Sequence, residues 1–109
     1  MEVRRLMATL NKTPWEVGSI LICSKCGAKF NEPDLAENVK SKIRKWQKEE
    51  ETQHQIRVVV SGCLGVCYPE KQTISFMPVN GPTEVYTTKL DEETVSSEVK
   101  DLIKSKLQN

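Results

Sequence analysis

The spacing of hydrophobic residues in the first half of the chain predicts a strand followed by a helix. Ile20 to Ile22 form a continuous apolar run, which is typical of a strand covered on both faces. From Asp34 onward, apolar residues recur at helical spacing, with lysines and glutamates between them. The stripe of this predicted helix consists of Leu35, Val39, Ile43 and Trp46.

The second half of the chain predicts three further strands and a closing helix. Residues 56–60 are mostly β-branched and apolar, and residues 73–76 alternate between polar and apolar. The Asn-Gly pair at 80–81 supplies a turn, so residues 83–87 are expected to complete a hairpin. Asp91 is the expected N-cap of the last helix. The stripe of that helix consists of Val95, Val99, Leu102, Ile103 and Leu107.

Residues 1–14 are set apart as an N-terminal arm, which leaves residues 15–109 as the domain. Apolar residues at i, i+3, i+4 and i+7 predict one short amphipathic helix in the arm, closed by Pro14. We expect this helix to pack on its own domain, and a homodimer held by the arm is the alternative. The stripe of the arm consists of Val3, Leu6, Met7 and Leu10.

Length and composition limit the possible functions. The 109 residues suffice for one domain with its own core. A net charge of +1 gives no argument for binding nucleic acid or an anionic membrane. No apolar run approaches the ~20 residues of a membrane-spanning helix, and the N-terminus lacks the apolar segment of a secretory signal. We therefore expect a cytoplasmic protein without membrane insertion, whose cysteines stay reduced.

Four cysteines in two close pairs carry the candidate chemistry. Cys23 and Cys26 form a C-x2-C pair, and Cys63 and Cys67 form a C-x3-C pair. Four thiolates at such spacings suit a tetrahedral metal ion or an iron–sulfur cluster. No Ser/His/Asp arrangement, phosphate loop or dinucleotide fingerprint accompanies them, so no catalytic residue is predicted.

The predicted element order brings the two cysteine pairs together. The first strand, the helix and the second strand form a βαβ unit, whose two strands are expected to be parallel. Each cysteine pair follows the C-terminal end of one of these strands, and such ends lie at the same edge of a sheet. Gly62 and Gly65 would let the backbone pass close enough for N–H groups to point at sulfur.

The segment from Gly62 to Cys67 resembles the GCLGxC segment of the thioredoxin-like 2Fe–2S ferredoxins. By element order, the resemblance extends over residues 17–107. It implies an α/β (α+β) fold, a thioredoxin-like βαβββα arrangement with a four-stranded mixed sheet flanked by helices. It also implies a one-electron carrier, not an enzyme, that exchanges electrons with redox protein partners. The cluster ligands that it implies are Cys23, Cys26, Cys63 and Cys67.

Two alternatives to the cluster stay open. The C-x2-C pair followed by Gly27 also looks like half of a structural zinc site with four cysteine ligands. A C-x2-C pair after the first strand is also found in dithiol oxidoreductases, whose helix begins at the motif. Here the helical spacing begins only near Asp34, which disfavours that enzyme. His54, in a polar connection, is expected to be a solvated loop residue and not a ligand.

Overall fold

A computed structural model describes residues 7–66 and 68–108 and has an α+β fold built on one four-stranded mixed sheet. Its strands are β1 (Gly18–Cys23), β2 (Ile56–Ser61), β3 (Lys71–Pro78) and β4 (Glu84–Lys89). Its helices are α1 (Ser24–Ala28), α2 (Leu35–Glu50) and α3 (Glu92–Leu107). The four predicted strands and the helices predicted from Asp34 and Asp91 are confirmed, and α1 is an additional short helix.

The sheet has the strand order β2-β1-β3-β4, with β1 inside it. β1 and β2 are parallel, so that Gly18 pairs with Ile56 and Cys23 pairs with Ser61. The pairs β1–β3 and β3–β4 are antiparallel. The predicted parallel pairing is confirmed, and the C-terminal ends of β1 and β2 therefore lie side by side.

Both long helices pack on one face of the sheet. Alternate residues of β1, β2 and β3 form a single buried cluster with the apolar stripes of α2 and α3. Burying an aliphatic or aromatic side chain of this kind contributes about 1.5–3 kcal/mol. In the part of the chain described, no helix is both long and apolar enough to cross a lipid bilayer. The buried members of the core are Ile20, Ile22, Leu35, Ala36, Val39, Ile43, Ile56, Val58, Ile74, Phe76, Val95, Val99 and Ile103.

Local backbone chemistry fixes the ends of the helices and the hairpin. Asp91 is the N-cap of α3, as predicted, and its carboxylate accepts an N–H bond from Thr94 at 3.0 Å. The C-cap of α2 is Glu51, which adopts left-handed backbone angles with φ of 56°. Between β3 and β4, Gly81 has φ of 125°, a conformation that side chains disfavour.

The described part of the predicted N-terminal arm, residues 7–14, is exposed along its length. Residues 7–14 contain no helix, and Met7 and Leu10 are 97% and 98% exposed. The chain joins the domain at Trp15, whose ring lies 4.2 Å from the guanidinium carbon of Arg57. Thus the predicted packing of the arm is not seen for these two stripe residues. The other residues of the predicted stripe, Val3 and Leu6, lie outside the described part of the chain.

Candidate metal centre

The first cysteine pair lies where an inner strand of the sheet passes into a short helix. Cys23 is the last residue of β1 and the N-cap of α1, and Cys26 lies within α1. Both side chains are buried, with exposed fractions of 1% and 5%. The two thiol groups lie close enough for Cys26 to contribute to the raised pKa of Cys23. This segment therefore presents two adjacent sulfur atoms at the predicted edge of the sheet.

Burial and hydrogen bonding act in opposite directions on the Cys23 thiol. Burial raises the pKa of Cys23, because a surrounding of low dielectric constant disfavours the thiolate. The backbone N–H groups of Cys26 and Lys25 donate to the Cys23 sulfur and lower its pKa by a smaller amount. These N–H groups belong to the first turn of α1, where helix donors have no partner within the helix. They would also stabilise the charge of a metal-bound thiolate.

Gly27 lets the chain turn directly after the second cysteine. Its carbonyl accepts N–H bonds from Phe30 at 3.0 Å and from Glu32 at 2.8 Å. A Cβ atom at this position would lie 2.2 Å from the carbonyl oxygen of Glu32. The close approach of these two backbone segments therefore requires glycine.

The second cysteine pair follows β2, in the connection to β3. Cys63 is exposed, and the N–H of Gly65 donates to the Cys63 sulfur at 3.4 Å. Gly65 has φ of 85°, in the left-handed region that glycine adopts without steric cost. This is the kind of contact between a backbone N–H and sulfur that the glycines of this loop predicted. Cys67, the last of the four predicted ligands, lies outside the described residues.

Hydrogen bonds connect both cysteine-bearing segments to the same edge of the sheet. The hydroxyl of Ser24 donates to the carbonyl of Ser61 at 2.9 Å and joins the start of α1 to the end of β2. The hydroxyl of Thr73 on β3 donates to the carbonyl of Val66 at 2.7 Å and holds the second loop against the sheet. Both segments are therefore held at this edge, the first through Ser24 and the second through Val66.

Gln72 on β3 supports the first cysteine from inside the protein. Its side chain is fully buried, and its Nε2 donates to the carbonyls of Cys23 at 2.8 Å and Thr73 at 3.0 Å. These two acceptors fix the orientation of the amide, because the reversed amide would place its oxygen against both carbonyls. Sequence reasoning missed Gln72, since a single polar residue near the start of a strand carries no pattern.

Cys26 also lines a surface cleft with a volume of ≈ 220 Å³. The side chains of Phe30 and Tyr68 line the same cleft and are 37% and 60% exposed. Cys26 is therefore buried beside a surface cleft that aromatic side chains also line. The remaining lining residues are Lys29 and Pro69.

The structure brings Cys23 and Cys26 together. Among residues 7–66 and 68–108, no group of three or more Cys, His, Asp or Glu side chains could hold a metal ion. Cys63 nevertheless lies two residues beyond β2, whose end is paired with the end of β1. Sulfur donors approached by backbone N–H groups fit an iron–sulfur cluster or a zinc ion in their chemistry. His54 is exposed, in agreement with its predicted solvated position.

The expectation that no helix begins at the first cysteine pair is wrong, because α1 begins at Ser24. A helix of five residues is too short for a hydrophobic period to reveal it. Cys23 differs in its surroundings from the reactive cysteine of a dithiol oxidoreductase. Such an enzyme requires an accessible cysteine with a lowered pKa, whereas Cys23 is 1% exposed and burial raises its pKa.

Comparison with known protein families finds no family model that matches the chain, and comparison with curated proteins finds no match. The resemblance to thioredoxin-like ferredoxins therefore rests on the segment from Gly62 to Cys67 and on the order of the elements. The fold it implies agrees with the observed one, and the cluster it implies stays a prediction.

Proposed function

We propose that this protein is a one-electron carrier that binds a 2Fe–2S cluster through Cys23, Cys26, Cys63 and Cys67. The first pair would bind one iron and the second pair the other. The observation that carries the proposal is the side-by-side position of the ends of β1 and β2, from which the two cysteine segments start. We place the protein in the cytoplasm, where thiols stay reduced.

Backbone N–H groups near the cysteines support a site for anionic sulfur. Cys23 accepts from the first turn of α1, and Cys63 accepts from Gly65. Such bonds stabilise negative charge on bound sulfur and raise the reduction potential of a cluster. The buried amide of Gln72 holds the Cys23 carbonyl and so limits movement of the first ligand.

When bound, a 2Fe–2S cluster supplies reversible transfer of one electron. The chain itself provides the thiolates, orients them and restricts the access of water. Cys26, one of the proposed ligands, lines a surface cleft together with Phe30 and Tyr68. We propose this cleft as the side from which a redox protein exchanges electrons with the site.

Purification without oxygen tests the proposal directly. We expect visible absorption, with about two iron atoms and two sulfides per chain and no zinc. Cys63→Ala and Cys67→Ala should each abolish the colour, because an iron then lacks a ligand. The matched control is Ser41→Ala, an exposed position on α2, which should keep the full spectrum.

Cys26→Ala decides whether the short C-x2-C pair takes part. We expect it to lose the cluster as Cys63→Ala does, while circular dichroism shows that the sheet is kept. A normal cluster in Cys26→Ala would show that the proposed ligand set is wrong. Uptake of one tightly bound zinc, with no iron or sulfide after reconstitution, would replace the carrier by a structural zinc site.

A further inference from the structure

The outer side of β2 is an unpaired strand edge. β2 is the terminal strand of the sheet, and the Gln55 carbonyl just before it accepts N–H bonds from the β1 side. Because backbone groups alternate in direction along a strand, those of Ile56, Val58 and Val60 are directed outward. The Ile56 carbonyl is occupied by the Gln47 amide at 2.8 Å. No other hydrogen bond of the described residues occupies the outward groups of Val58 and Val60, and Val58 is 3% exposed while Val60 is half-buried. A further strand would therefore pair with Val60 first and reach Val58 as the side chains of α2 move aside.

A groove with a volume of ≈ 320 Å³ lies at this edge, between α2 and β2, and we call it the basic groove. It contains three cations, Arg44, Lys48 and Arg57, together with His54. No carboxylate lines it, and the ion pairs of the described residues involve other cations. Cations that form no ion pair among the described residues can attract acidic partners.

The cations are placed so that they reach both faces of an added strand. Arg44 and Lys48 belong to α2, which packs on the core face of the sheet. Arg57 alternates with the core residues of β2 and lies on the opposite face, next to Trp15. Side chains of an extended segment also alternate between the two faces. Consecutive acidic residues would therefore meet the α2 cations and Arg57 in turn.

A second copy of the chain fits this edge less well than an acidic segment does. A two-fold pairing of β2 with β2 would repeat the same patch on both sides of the interface. It would bring two basic grooves together without any carboxylate in their lining, which is electrostatically unfavourable.

We propose that the β2 edge is a docking site for an acidic, extended segment of a partner protein, which adds to the sheet as a fifth strand. Backbone hydrogen bonds to Val58 and Val60 would provide the pairing, and the basic groove would select carboxylates. The site does not depend on the presence of a cluster, since none of its residues is a proposed cluster ligand.

A synthetic peptide provides the test. We would titrate the full chain with a blocked seven-residue peptide of valine and consecutive glutamates, and follow backbone amides by NMR. The Val58 and Val60 amides should shift and exchange more slowly with solvent. A peptide with lysine in place of glutamate, and one with a central proline that lacks an N–H, should each bind at least about tenfold more weakly.

Two neighbouring positions on α2 separate a specific site from general charge attraction. Arg44→Glu should weaken binding of the acidic peptide about tenfold, because one attraction becomes a repulsion. Lys45→Glu makes the same change in net charge at an exposed residue outside the basic groove and should weaken binding less than about threefold. Equal weakening by both variants, or no shift of Val58 and Val60, would overturn the proposal. The proposal would also be overturned if the chain formed a dimer that Arg44→Glu strengthened, because the β2 edge would then bind a second copy of the chain.

Discussion

Gly27 and Gln72 show how single residues shape the first cysteine segment. Gly27 permits a backbone contact that any side chain would obstruct, because its Cβ position is 2.2 Å from the Glu32 oxygen. Gln72 uses one buried amide group to hold two carbonyls, those of Cys23 and Thr73. Neither residue supplies a sulfur ligand, yet each determines where Cys23 and Cys26 can lie.

Gly27→Ala should destabilise the protein by about 1–3 kcal/mol, because the backbone must move to admit a methyl group. Gly62→Ala is the matched control, since no atom lies within 4 Å of its Cβ position and its φ is not in the left-handed region. It should change the free energy of unfolding by less than about 0.5 kcal/mol. Urea denaturation of both variants measures the difference, and equal stabilities would contradict the close contact at Gly27.

At the scale of elements, a polar contact joins the two long helices. Glu92, in the first turn of α3, accepts hydrogen bonds from Lys42 and Asn38 of α2. Its bond with Lys42, followed by that with Asn38, lowers the pKa of Glu92. Asp91 also has a lowered pKa, because the Thr94 hydroxyl and N–H donate to its carboxylate. The start of α3 is thus held by carboxylates in their charged form.

The lowered pKa of Glu92 predicts acid sensitivity of the contact between α2 and α3. A carboxylate with a lowered pKa in the folded state stabilises the protein above its unfolded pKa, about 4.5, and this contribution is lost as the pH falls through the folded pKa. Glu92→Gln should therefore cost up to about 1 kcal/mol at pH 7 and progressively less below pH 4.5.

Glu93→Gln is the control for this prediction, because Glu93 lies in the same helical turn but has no ion pair among the described residues. Thermal unfolding at several pH values between 2.5 and 7 compares the two variants with the unchanged protein. A stability difference for Glu92→Gln that stayed constant over this range would show that the ion pair with Lys42 contributes nothing.

Elements with a clear hydrophobic period could be predicted from the sequence, and those that depend on single contacts could not. The stripes of α2 and α3 and the apolar runs of β1 and β2 identify these elements because burial on one or both faces imposes a spacing. α1 has only five residues and no such spacing. The position of Gln72 under Cys23 depends on the register between strands, which the order of elements does not specify.

The candidate site was predictable only in part, for a related physical reason. The parallel pairing of β1 with β2 places both cysteine segments at one edge, as the element order indicated. The position of Cys63 relative to Cys23 and Cys26 depends on the course of an irregular loop, which no periodic pattern encodes. The basic groove was also missed, because Arg44 and Arg57 are distant in sequence and come together only in the fold.

At the scale of the whole molecule, the described part of the predicted N-terminal arm is exposed. The double variant Met7→Ala, Leu10→Ala should change the free energy of unfolding by less than about 0.5 kcal/mol, since both side chains are almost fully exposed. Trp15→Ala should cost at least about 1 kcal/mol, because it removes the contact with Arg57 and the partial burial of the ring.

Chemical denaturation of both variants and of the unchanged protein measures these effects, and size-exclusion chromatography accompanies them. A loss of more than about 2 kcal/mol in the double variant would show that the arm packs on a surface. A fall from dimer to monomer mass would identify that surface as a second copy.

The inner position of β1 has a consequence for the order in which the chain folds. The strands that pair with β1, namely β2 and β3, both lie much later in the sequence. Their pairing with β1 must therefore close long loops. The β3–β4 hairpin, by contrast, joins strands that are close in sequence and can form early. The cysteine segments therefore remain apart until β1 pairs with β2. A metal ion that arrived before this step would meet only one pair of thiols, so loading of the proposed four-cysteine site would follow the pairing of β1 with β2.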